Sequence, residues 1–219
     1  MSVHPEAAPV RVVIVGAGGQ GQVVADILHA AGPAGGLRAI GFVDDAPERV
    51  GASVLGLPVH GGIDVLATLP HDAVVVAIGD NAVRARISLS LESLGERLVS
   101  VRHPFSSVAA SAQIGVGCMI SAGAVITPSV RLGRGVLVNT NASIDHDTLV
   151  EDFAHVACGA VVGGSAFIGA RSLVGIGAAV MSGRRVGADA VVGAGALVHR
   201  DLPDGVVAFG VPARPRAGW

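Results

Sequence analysis

The sequence predicts an α/β unit on a small parallel sheet (residues 1–103) followed by an all-β parallel β-helix with a C-terminal tail (residues 104–219). Three observations predict this. From Val108 to Val198 every sixth residue is Val, Ile or Leu. Ahead of that array, short apolar runs alternate with segments of helical spacing. The composition also suits a core of narrow cross-section: 51% of residues are hydrophobic, with 32 Gly, five Phe, one Trp and no Tyr.

In the first unit, Val10–Val15 reads as a strand, followed by the turn Gly16-Ala17-Gly18-Gly19-Gln20-Gly21 and a helix over Gln22–Ala31. A second strand, Ala39–Val43, ends in Asp44-Asp45. A third, Ala73–Ile78, ends in Gly79-Asp80-Asn81. Ala82–Leu94 has helical spacing, and Leu98–Val101 reads as a fourth strand. Gly16–Gly21 satisfies G-x-G-x-x-G between a strand and a helix, where backbone N–H groups can meet a phosphate at the helix N-terminus. Asp44 lies 23 residues beyond Gly21, near the place of a ribose-binding acid in a dinucleotide fold. Three readings stay open: a nucleotide or nucleotide-sugar site, an NAD site, and glycines that only permit a tight turn. Convergence of the three strand ends on one sheet edge favours a ligand site.

The β-helix follows from the sixteen aliphatic positions, which continue without insertion. Each hexad is one short strand plus a turn, and three hexads make an 18-residue coil. Coils stack at about 4.8 Å, the spacing of paired strands. A mostly small residue lies four positions after each aliphatic, as at Ala112, Ala124, Ala142, Ala160 and Ala178, and lets the corner close. Gly123, Asn141, Gly159, Gly177 and Gly195 recur every 18 residues. Such a column implies a left-handed backbone turn repeated along one edge.

The exposed positions of the array become polar once, in VNTNAS-IDHDTL-VEDFAH over residues 138–155. Here Asn139, Asp145 and Glu151 replace the usual Gly, and His146 and His155 stand outside the inward positions. Histidine is the side chain best suited to take a proton near neutral pH. An adjacent Asp147 or Asp145 can fix its tautomer and raise its basicity. The same residues can also be read as solvated surface. Cys158 lies nearby but in no recognised nucleophile setting, and two His nine residues apart make a poor zinc site, so no metal is expected. In the tail, Gly210-Val211-Pro212-Ala213-Arg214 is a turn followed by a cation suited to a phosphate.

Composition also excludes classes. Apolar residues come in short runs, too short for a membrane-spanning helix. The start MSVHPEAAPVR lacks the basic-then-apolar pattern of a secretory signal. A net charge of −2 provides no general attraction to nucleic acid. Two unpaired cysteines, Cys118 and Cys158, fit a cytoplasmic protein.

Taken in order, V-I-V-G-A-G-G-x-G, F-V-D-D, A-I-G-D-N-x-x-R, H-P, N-T-x-A-x-I-D-H-D, H-V-x-x-G-A and G-V-P-A-R resemble the bacterial nucleotide-4-amino-sugar N-acetyltransferases, relatives of the sialic acid O-acetyltransferase group. The resemblance spans Val10 to Arg214. It implies a Rossmann-like first unit, a left-handed β-helix, acetyl-CoA as co-substrate, and a homotrimer with sites between subunits. It makes His146 the base and Asp147 its acidic partner. It sets His155 and Gly164 at the thioester, Ile176 and Ala194 along the pantetheine arm, and Arg214 near the CoA phosphates. It places Gly18, Gly19, Gln20, Asp44, Asp45, Asp80 and Asn81 in the nucleotide-sugar cradle. One departure stands out: Gln20-Gly21-Gln22 occupies a place where many relatives have His-x-Lys/Arg. A sugar or sialic acid O-acetyltransferase, and a nucleotide-binding oxidoreductase or sensor on a trimeric scaffold, are the alternatives.

Overall fold

The computed structural model describes residues 8–32 and 35–216. The start of the N-terminal stretch (1–7) and the end of the tail (217–219) therefore lie outside the described residues. Strands β1 (Val10–Val15), β2 (Leu37–Val43) and β5 (Ala73–Val76) form a parallel sheet in the order β2-β1-β5. Between them lies a small hairpin of β3 (Ser53–Val54) and β4 (Leu57–Pro58). Helices α1 (Gly19–Ala31) and α2 (Asn81–Ser93) follow β1 and β5. The strands are apolar on both faces because both are covered, as a parallel sheet requires. Val12, Ile14 and Val75 pack with Val24 and Ile27 of α1, while Val13, Val15 and Val74 pack with Leu66 and Leu91.

The expected fourth strand at Leu98–Val101 does not join this sheet. Leu98 makes a single bridge to Val74, and the chain then crosses over. Strand β6 (Val101–Arg102) pairs with Met119–Ile120 and so already belongs to the β-helix. A four-residue, mostly apolar run carries no signal for which sheet it joins. The helix starts are also earlier than predicted, because Gly19 and Asn81 each lie in the first turn.

The hexad array forms a prism with three parallel sheets. The first face carries Val125–Ile126, Ser143–Ile144, Val161–Val162, Ala179–Val180 and Leu197–Val198, stacked on Ser107–Val108. The second carries Arg131–Leu132, Leu149–Val150, Phe167–Ile168 and Arg185–Val186. The third carries β6, Met119–Ile120, Leu137–Val138, His155–Val156, Leu173–Val174 and Val191–Val192. The second residue of each pair points inward, and from Ile120 to Val198 these are almost completely buried.

The predicted column holds: Gly123, Asn141, Gly159, Gly177 and Gly195 all have φ between +56° and +69°. The other two edges make the same turn with mostly other residues, among them Ser129, Asp147 and Ser165 on one and Phe153, Arg171 and Asp189 on the other. Their identity hides the conformation from the sequence. Nor does stacking stop at Val198. Leu202 bridges Val186, and Val207–Phe209 pairs with Val191–Val192 in a coil two residues short of 18.

The α/β unit sits on the third face. Met119 and Leu137 point outward there, yet they are fully buried beside residues of α1 such as Val24 and Ile27.

Candidate functional site

The strand ends converge as predicted. At β1, Gly16 has φ +101°, and a Cβ on Gly21 would fall 2.0 Å from the Gly16 carbonyl oxygen. These two glycines are required by the close approach of helix to strand. Gly18 and Gly19 face open space, and the helix start carries neither a capping side chain nor an acidic residue. The first-turn amides are thus left for a ligand, and their field favours an anion.

The acidic residues at this edge also build it. Asp44 accepts from the Ala17 N–H at 2.7 Å and the Ala46 N–H at 2.9 Å, so both its oxygens are engaged in the loop. One oxygen of Asp45 accepts from the Ile63 N–H at 2.8 Å. One oxygen of Asp80 caps α2 through the Val83 N–H at 2.8 Å. Asp45 and Asp80 are exposed, and the second oxygen of each has no hydrogen-bond partner among the described residues. Arg49, unmarked by any motif, donates to the Ala17 carbonyl at 2.8 Å and lies 3.8 Å from Asp44. Gln20 turns away to the β-helix, with its amide 3.8 Å from Met119 Sδ. Asn81 also reaches the β-helix, donating to the Arg171 and Ser172 carbonyls at 2.9 and 3.0 Å.

The polar hexads place His146 on the corner between the first and second faces. Its Nδ1 stands 2.9 Å from Asp147 Oδ2. A carboxylate accepts, so Nδ1 carries the proton and Nε2 keeps its lone pair. The hydrogen bond to Asp147, aided by the charge of Asp145, raises the basicity of His146 above that of a free imidazole. Gly164 lies one coil on, in the same column. A Cβ there would be 2.7 Å from both Cε1 and Nε2 of His146. Among the described residues the Gly164 N–H has no acceptor. A free base nitrogen therefore adjoins a free backbone donor. The His146 side chain is 57% exposed.

His155 lies elsewhere, on the third face. Its Nε2 is 3.3 Å from Asn139 Nδ2, which donates to it. Burial, with a contribution from the Arg84 charge, pushes its pKa down to about 4. It is a neutral histidine at physiological pH. Ile176 and Ala194 occupy one column on the edge between the third and first faces, and Ile176 is 63% exposed. Arg214 lies in a short strand paired with Phe209, at the same end of the prism as His199. Burial and the charges of Arg214, Arg200 and Arg184 lower the basicity of His199, so all three guanidinium groups lie within its electrostatic reach, Arg184 being also paired with Asp201 at 3.7 Å. Sequence reading found only Arg214 of the three.

One chain thus brings together His146, Asp147 and Gly164, and separately lines the edge bearing Ile176 and Ala194, with Arg214 at the end of the adjoining third face. The two edges flank the first face. Cys118 is core: burial pushes its thiol up to about 12. Among the described residues no group of His, Cys, Asp and Glu could hold a metal ion, and no helix is long and apolar enough to cross a membrane.

The chain is similar to known proteins in both sequence and fold. Residues 11–91 match the model of the PglD N-terminal domain family. A GDP-perosamine N-acetyltransferase of Escherichia coli O157:H7 is 32% identical over 89 residues, 41% of this chain and 40% of that protein; the match spans less than half of the relative. Coverage is far greater for solved structures. A perosamine N-acetyltransferase mutant from Caulobacter crescentus, in complex with CoA and GDP-perosamine, is 35% identical with a TM-score of 0.89, covering 94% of this chain and 97% of that one. The acetyltransferase domain of PglB from Neisseria gonorrhoeae FA1090 is 38% identical with a TM-score of 0.88, covering 94% and 99%.

Proposed function

Because the chain belongs to the nucleotide-amino-sugar N-acetyltransferase family, we propose that it moves the acetyl group of acetyl-CoA to the 4-amino group of a nucleotide-linked amino-deoxysugar, with His146 as base. The observation that carries this reading is the His146–Asp147 pair packed against Gly164, whose N–H has no acceptor among the described residues.

In this reaction the sugar nitrogen attacks the thioester carbonyl carbon as Nε2 of His146 takes its proton. Asp147 holds Nδ1–H and stabilises the imidazolium that forms. The carbonyl oxygen gains negative charge, and the Gly164 N–H is the donor placed to receive it. The C–N bond forms, the C–S bond breaks, and the proton on His146 passes to the CoA sulfur. The products are the N-acetyl sugar and free CoA. No metal or covalent enzyme intermediate takes part.

The nucleotide sugar would lie at the strand-end edge, against Gly18, Gly19, Asp45 and Asp80, with the α1 amides facing its phosphates. Acetyl-CoA would run along Ile176 and Ala194 towards Arg214. His146 lies on one side of the first face and the Ile176 edge on the other, which supports a homotrimer with each site between two prisms. The outward residues of that face support it too, because Val125 and Val161 are exposed apolar side chains.

GDP-perosamine, the sugar bound by the Caulobacter relative, is the first substrate to try, with CoA thiol release as readout and NMR of the product to locate the acetyl group. His146→Asn should lower kcat by about 100-fold or more while CoA still raises the melting temperature. Full activity in that variant would refute the base assignment.

A further inference from the structure

Arg84 is fully buried, yet among the described residues no carboxylate lies within ion-pair distance of it, and Asp80 acts on it only from further away. Its guanidinium spends its donors on carbonyl oxygens from three parts of the chain. Nη1 reaches Ile78 at 2.8 Å and Gly79 at 3.2 Å, in the loop that ends β5. Nε reaches Gly135 at 2.9 Å, and Nη2 reaches Phe153 at 2.7 Å, both on the β-helix. Nη2 also donates to Asn81 Oδ1 at 2.7 Å, and Asn81 Nδ2 in turn holds the Arg171 and Ser172 carbonyls.

Gly135, Phe153 and Arg171 are 18 residues apart and occupy one edge of the prism, each with positive φ. Arg84 and Asn81 therefore grip three successive coils along that edge. Burial lowers the Arg84 pKa to about 10, although the nearby charge of Asp80 opposes the shift. A cation held at that cost is a poor means of stabilising a fold, since apolar residues of similar volume often do as well. What it provides is direction: a planar fork fixes several acceptors at once, which neither an apolar side chain nor a lysine can do.

Those acceptors matter by location. Ile78 and Gly79 lead into Asp80 and Asn81 at the strand-end edge, and Ile78 Cδ1 abuts Gly16 of the neighbouring loop. Phe153 lies two residues before His155. The fork thus joins the edge proposed to hold the nucleotide sugar to the coil in which Phe153 follows His146, the proposed base, by seven residues.

We propose that Arg84 is a positioning residue, which with Asn81 locks the loop Ile78–Asn81 to the β-helix edge and sets the reach from the nucleotide-sugar cradle to the acetyl-transfer site. The proposal rests on the functional reading above.

Arg84→Lys in the full chain tests it, since it keeps the charge but replaces the fork by a point donor. Binding of CoA and of nucleotide sugar, each measured alone, should stay near wild type, while kcat falls about tenfold or more, because a small misplacement in a two-substrate site is costly. Hydrogen exchange should quicken at the amides of residues 78–84 and stay unchanged in the β-helix coils. If kcat stays at the wild-type level, whether or not the loop exchanges faster, Arg84 does not position the reaction and the proposal fails. Loss of kcat with unchanged loop exchange also overturns it.

Should Arg84→Lys fail to fold, Asn81→Asp takes its place: it keeps an acceptor for Arg84 and removes both donors to Arg171 and Ser172, and the same two readouts apply. A wild-type chain that acetylates no nucleotide amino sugar would instead refute the functional reading. The exchange experiment would then still decide whether Arg84 holds the loop.

Discussion

The imidazole of His146 lies over Gly164, so close that a β-carbon on the glycine would come within 2.7 Å of Nε2. Because Gly164 does not have positive φ, a side chain there is opposed by the ring rather than by backbone strain. Gly164→Ala should push the exposed ring aside and separate the base from the free N–H. The expected result is a fall in kcat of about 100-fold, as for loss of one oxyanion donor, with the melting temperature nearly unchanged. Steady-state kinetics with thermal denaturation checks both, and an unchanged kcat would detach Gly164 from the chemistry.

Asp147 raises the basicity of His146 through the 2.9 Å hydrogen bond to Nδ1. The base works only when neutral, so kcat/KM should rise with pH through the His146 pKa. Asp147→Asn removes the charge that favours imidazolium. The limb should then move to lower pH while the plateau falls, because the base is weaker and its tautomer is no longer fixed. Asn tolerates the left-handed conformation at φ +58°, so the turn should persist. A pH profile of kcat/KM decides, and a limb that stays in place would show that another group sets it.

His155 predicts a pH effect on stability. In the folded chain its pKa is near 4, against about 6.5 when unfolded. Between these values the unfolded state binds more protons, so stability is complete above about pH 6.5 and falls as pH drops towards 4. The loss attributable to His155 is about 3 kcal/mol at most. Urea unfolding of the wild type and of His155→Gln across that window should show a shallower fall in the variant. Parallel curves would place the imidazole in contact with water.

The sequence displays most of this fold because its constraint repeats. A side chain that points into a narrow prism every six residues leaves a pattern no loop interrupts, and the Gly column at 123–195 marks one edge. The other two edges are hidden because Phe153, Arg171 and Asp147 make the same left-handed turn without glycine. The His146–Asp147 pair was legible, being adjacent in sequence and polar in an apolar array. Arg84 was not, since its partners Gly135 and Phe153 are backbone carbonyls 51 and 69 residues away. Arg184 and Arg200 were missed for a related reason: only the stacking of coils gathers them with Arg214 around His199.

A site between prisms makes the last prediction. Val161 is 49% exposed at the middle of the first face, between the His146 edge and the Ile176 edge. A charge buried at an interface without a partner is strongly unfavourable, so Val161→Glu should yield a smaller species by light scattering, with the β-helix circular dichroism kept and acetyl transfer lost. Complementation then separates loss of assembly from loss of fold. His146→Asn and Ile176→Glu should each be nearly inactive alone. If one protomer supplies His146 and its neighbour the CoA edge, co-expressing the two variants in equal amounts leaves about a quarter of the sites with both functional halves, a consequence of ring symmetry. Recovery towards that level would mean that neighbouring subunits share each site. A mixture no more active than either variant would confine the site to a single chain.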